Sequence, residues 1–248
     1  MRARPLATAA VLALTTAVLA ATPAPARPSA TAPSGSSRPA AARLAGNTEV
    51  PVEGGSARLA VPPALLTALH TRGVALAEID TQGRISPHFS TGDVQLGIRS
   101  GAVTNSGGKV GGELRFTRAG IALINIKTDK AVKLTGFVGD LSQGKLSAVI
   151  DRGPRIALGT FPRPRTASSV DTEPAALHMN TAITVSAVAA ARLNAALGAA
   201  CFTGGGSLLH VRIDAALDPS VDLGTALNLS HRTRGGNDGR RTDDDAQG

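Results

Sequence analysis

Five histidines, His70, His88, His178, His210 and His231, are the side chains of this chain best suited to ligate a metal or carry a proton near neutral pH. No two stand at i, i+2 or i, i+4, the spacings that bring two rings to one side of a strand or helix. No metal site is therefore expected from local sequence. His88, which follows Pro87 in a polar turn, is the first ligand suspect should histidines converge in the folded chain. Nucleophilic catalysis would call for a Ser on a Gly-flanked elbow, and no Gly-x-Ser-x-Gly occurs. The similar-looking Gly204-Gly205-Gly206-Ser207 precedes a strand pattern and reads as a turn. The carboxylates are scattered among turns, so no acid/base pair of the kind glycoside hydrolysis needs can be named. One calcium-repeat-like run at residues 235–239 has no second copy to stack on. The expectation is a protein with no catalytic residue and no cofactor, not an enzyme.

Charge supplies the remaining chemistry. Arg152, Arg155, Arg163 and Arg165 crowd a Pro/Gly-rich stretch with only Asp151 among them. On one face they would attract an anionic cell-wall or envelope component. The whole-chain charge of +8 is not itself evidence for such a partner, because much of it lies near the N-terminus. Residues 49–229 hold 17 Lys and Arg against 14 Asp and Glu, an ordinary balance for a soluble domain. Nucleic acid is not expected as a partner: there is no Trp or Tyr, and five Phe cannot supply a stacking platform while also filling a core. A single cysteine, Cys201, excludes an internal disulfide and reads as a small buried apolar side chain between Ala200 and Phe202.

The elements that must position these residues read mainly as strands. Alternation at period two runs through Val94-Gln95-Leu96-Gly97-Ile98, Glu113-Leu114-Arg115-Phe116-Thr117, Ala122-Leu123-Ile124-Asn125-Ile126 and residues 208–213. Turn chemistry separates these runs, as at Asn105-Ser106-Gly107-Gly108 and Gly153-Pro154. About ten short strands predict an all-β domain, an antiparallel β-sandwich or barrel. Two short helices interrupt it. Pro62-Pro63 opens an Ala/Leu-rich run over residues 64–72 that Gly73 stops, and Ser186 caps a second over 188–197 that Gly198 stops. Both follow an extended run, as in an internal duplication. Residues 162–174 are expected to form a long loop.

The ends predict an exported protein. Arg2 and Arg4 precede an uncharged apolar stretch over residues 6–21, too short to span a bilayer before Pro23 and Pro25. Ala24-Pro25-Ala26 offers a cleavage site before Arg27, and a cut near Ala20 or Ala21 meets the same requirement. Residues 1–26 thus read as a signal peptide, 27–48 as a disordered Ala/Pro/Ser linker, 49–229 as one β-rich domain and 230–248 as a disordered tail.

The run Ser106-Gly107-Gly108 through Gly112-Glu113-Leu114-Arg115-Phe116-Thr117, then Gly120, Leu123, Ile126, Leu141 and Lys145-Leu146-Ser147-Ala148-Val149-Ile150, resembles a group of uncharacterised secreted actinobacterial proteins. Leu193-Asn194-Ala195-Ala196-Leu197-Gly198 and Phe202-Thr203-Gly204 resemble them too. The strand-turn rhythm of residues 111–150 is more distantly similar to haem-transport-associated (HtaA-type) surface domains. That resemblance implies haem capture through Tyr and His, and this chain has no Tyr. The expected function is an exported, non-enzymatic interaction module that does not span the membrane once its signal is removed. The alternative is a small-ligand, haem-like capture domain.

Overall fold

The computed structural model describes residues 48–89 and 92–229. The segments read as a signal peptide and a tail, and all of the one read as a linker but Thr48, lie outside them. Within them the chain forms β1 (Val50–Ala60), α1 (Pro63–Thr71), β2 (Val74–Ile79), β3 (Ile85–Phe89), β4 (Asp93–Ser106), β5 (Lys109–Phe116), β6 (Gly120–Asn125) and β7 (Lys130–Asp140). It continues through β8 (Lys145–Ile150), β9 (Arg155–Thr160), α2 (Thr166–Ser169), β10 (Val170–Thr172), β11 (Ala175–Val185), α3 (Ala187–Leu197), β12 (Ser207–Leu217) and α4 (Leu223–Ala226).

Both helices read from sequence form where capping chemistry puts them. Ser186 accepts the Ala189 N–H, and Gly198 ends α3 at φ 67°, a left-handed conformation that a Cβ disfavours. α1 starts after Pro62 and gives way to Gly73 at φ 77°. β1 and β11 both run antiparallel to β12, so they are parallel to each other and their following helices leave the same end of the sheet. Two one-turn helices were not expected. The 162–174 stretch, read as a loop, contains α2 and the three-residue β10, which pairs with β11. Few apolar side chains mark it because only Thr166, Ser169 and Val170 at its centre turn inward.

Every strand pairing is antiparallel. The order β3-β2-β6-β7-β5-β4-β1-β12-β11-β9-β8 ends on a strand that also pairs with β7, so eight strands close into a ring. Two of its joints are thin: three residue pairs between β5 and β7, and two between β9 and β11. The result is a flattened barrel, or equally a sandwich whose sheets meet at both edges. β7 is the pivot. One edge faces β8, while the other is shared by β6 along residues 130–134 and β5 along 138–140.

Alternation sends one face of each strand inward. Leu177, Met179, Ile183 and Val185 of β11 join Val211 and Ile213 of β12, Leu59 of β1 and Phe137 of β7 in one continuous core. Phe116, Phe161 and Phe202 are buried with them, as expected for a chain short of aromatics. Leu69 of α1 and Leu193 and Leu197 of α3 are buried in the same core. Burying each such side chain contributes about 2 kcal/mol.

At the β9–β11 joint the strands approach so closely that a Cβ on Gly159 would lie 2.2 Å from the Thr184 carbonyl oxygen. Gly139 faces inward beside a void, and a Cβ there would meet only the Phe116 ring at 3.8 Å. The same substitution should therefore act in opposite directions. Gly159→Ala is expected to lose roughly 1–3 kcal/mol of stability through backbone displacement, and Gly139→Ala to gain up to about 1 kcal/mol. Denaturant midpoints of the two variants and the parent check both signs.

Candidate functional site

Between residues 135 and 138 the β7–β8 register shifts, so that Gly136 and Phe137 stand opposite the single residue Ala148. The shift is a β-bulge, with Gly136 at φ 58°. It bends β7 away from the end of β5, and from the other side the Arg155 guanidinium reaches over β8 and donates to the Gly136 carbonyl. An open trough of about 700 Å³ lies there.

Val138, Ser147 and Ala157 lie in one cross-strand row with Arg115, and these short side chains make the trough floor. Arg99, Arg115 and Arg118 flank it from β4, β5 and the β5–β6 turn, Arg155 from β9 and Lys145 from the start of β8. All five cations are exposed. Two carboxylates share the lining: Glu113 accepts from Arg115 Nε at 2.6 Å, and Asp140 stands across from Lys145. The balance is five cations to two anions, concentrated in a depression rather than spread over a convex surface. Such an arrangement holds oxyanions through charge-assisted hydrogen bonds.

Of the four arginines singled out in the sequence, the structure brings only Arg155 to this trough. Arg155 lies opposite Val149 at one end of β8, with Arg152 in the adjoining turn. Arg163 lies beside Gly144 at the other end, about 17 Å away at the rise of a strand. That is roughly twice the screening length at physiological salt, so the two pairs do not act as one charge cluster. Arg163 is half-buried and donates from Nε and Nη2 to the Val110 carbonyl, each at 3.3 Å, while Arg165 precedes α2 beside Lys109.

His88 falls in β3 rather than in a turn, and its side chain lies outside the described part. His70 and His210 are exposed on α1 and β12, and His231 lies outside the described residues. Among the described residues no three His, Cys, Asp or Glu side chains are placed to hold a metal ion. Cys201 is half-buried against the core, and burial pushes its thiol up. The barrel interior is packed: the voids lined by Leu69 and Phe202 and by Phe137 and Thr181 measure about 20 and 10 Å³, room for a water molecule.

A second charged cluster, missed in the sequence, crosses three strands on the opposite sheet. His178 Nδ1 lies 2.8 Å from Asp214 Oδ1, its Nε2 lies 3.6 Å from Asp171 Oδ2, and Arg212 Nε donates to Asp214 Oδ2 at 3.1 Å. The hydrogen bond from His178, aided by Arg212, holds the Asp214 carboxyl below its ordinary value of 3.8. A depressed carboxyl stabilises the fold above its unfolded value and loses that contribution as pH falls through the folded one. Asp214→Asn is therefore expected to be less stable than the parent at pH 7, with the difference shrinking below about pH 3.8. Chemical denaturation at both ends of that window checks the sign.

No protein-family model matches the chain, and none of the curated proteins matches it. The fold is similar to the crystal structure of the C-terminal domain of HtaA from Corynebacterium glutamicum, with a TM-score of 0.48 and 14% sequence identity over 68% of this chain and 99% of that one. This is the distant similarity to HtaA-type domains read in the strand-turn rhythm of residues 111–150.

Proposed function

We propose that this domain is a non-enzymatic extracellular interaction module that holds an anionic component of the cell envelope in the basic trough beside the β5–β7 joint. The observation that carries the reading is the gathering of Arg99, Arg115, Arg118, Lys145 and Arg155 around a floor of small side chains. Their positions span 57 residues of sequence, yet the fold directs them into one depression. Export, expected from the N-terminal residues, would bring the trough to wall and membrane polymers. No helix among the described residues is long and apolar enough to cross a membrane.

The attraction is a field of exposed charges, so it must weaken as salt rises. The purified chain is expected to sediment with cell-wall preparations at low salt and to be released at high salt. Replacing Arg99, Arg118 and Arg155 together by Ser should weaken retention roughly a hundredfold, at about 1 kcal/mol per removed charge. Replacing Arg163 and Arg165 should change it little, because those side chains lie at the far end of β8. Equal sedimentation of the parent and the triple variant would exclude the trough as the contact surface.

A further inference from the structure

We infer that the partner is a single extended chain of phosphate groups lying along β7 and β8, not a flat anionic surface. The inference rests on the reading of the trough as the binding surface and concerns what fits it. Arg115 on β5 and Arg155 on β9 are three strand spacings and two residues of register apart, about 16 Å across the sheet. The row that starts at Arg115 carries only the short side chains of Val138, Ser147 and Ala157, which leave the floor below the flanking arginines. A planar bilayer would touch the rims of such a depression and leave its floor empty. A polymer one residue wide can enter and meet cations on both sides.

Chemical class follows from the same geometry. A side-chain carboxylate presents both oxygens in one direction and can be gripped from one wall at a time. A phosphodiester or polyphosphate unit is tetrahedral, and its free oxygens point outward to either side of the chain. Four of the five cations are arginines, whose planar forks pair with two oxygens at once. The length of the site is set by the strands beneath it. β8 rises about 17 Å from Lys145 to Ile150. Beyond Arg115 the trough runs into a hollow of about 460 Å³ that carries Glu49, Glu113 and Asp140, where a polyanion is repelled. The chain therefore enters from the Arg118 and Arg155 end and stops short of Glu113.

Binding of the full chain to three probes at low salt tests this: labelled linear inorganic polyphosphate, polyglutamate of matched charge, and vesicles of anionic phospholipid. Polyphosphate is expected to bind on the order of tenfold more tightly than polyglutamate, and vesicles weakly. The decisive variant is Ala157→Glu, an exposed floor position that removes no cation. It should cost polyphosphate binding on the order of tenfold while leaving the thermal midpoint unchanged. Vesicle binding as tight as polyphosphate binding, insensitive to Ala157→Glu, would overturn the extended-chain inference and leave the interaction module standing as a surface binder. Equal binding of polyglutamate and polyphosphate would overturn the phosphate class. No binding to any of the three would overturn both readings.

Discussion

Closure of the strand ring through two short joints is the constraint on which the rest of this structure depends. A sheet of this length must either leave its edges open or curl back on itself, and here its β8 end closes onto β7, leaving β6, β2 and β3 outside the ring. Each thin joint brings two backbones together over two or three residue pairs, and at β9–β11 the approach leaves no room for a side chain on one of the strands. Gly159 meets that demand. At the other corner β7 cannot serve both β6 and β5 without bending, and the Gly136–Phe137 bulge supplies the bend. The packed interior and the open trough are thus two consequences of one closure.

The trough is a product of backbone geometry before it is one of charge. At the bulge the Gly136 carbonyl accepts from Arg155, which reaches over β8, and this fixes one cation at the wall. The register of β5, β7, β8 and β9 then places three short side chains in a line beneath. The near-balanced charge of the domain does not prevent this local excess, because an exposed field decays within about 8 Å at physiological salt. On the opposite sheet the His178 cluster sets Arg212 and the His178 ring against the carboxylates of Asp171 and Asp214, so each basic side chain of that cluster has an acidic partner.

Much of the architecture was legible in the sequence because it depends on short-range chemistry. Alternation at period two marked β4, β5, β6 and β12, and Ser186, Gly198 and Pro62-Pro63 marked the helix ends. Closure of the ring was not legible, since two of the joints that complete it are two and three residue pairs with no local signature. The candidate site was almost invisible. Its cations sit at positions 99, 115, 118, 145 and 155, brought together by strand pairing rather than by sequence proximity. Nearness in sequence misled in the opposite sense: Arg152 and Arg163 are eleven residues apart, but an extended strand between them separates their charges. The His178–Asp214 pair had the same origin, a cross-strand contact between residues 36 positions apart.

The most direct test of the central claim is a map of backbone amide shifts in the isotope-labelled protein as linear polyphosphate is added at low salt. If the trough is the binding surface, the largest changes fall on residues 115, 118, 136–138, 145–147 and 155–157, saturate together and vanish at high salt. Changes centred instead on Arg163, Arg165 and α2, or spread evenly over the outer faces of both sheets, would contradict the account.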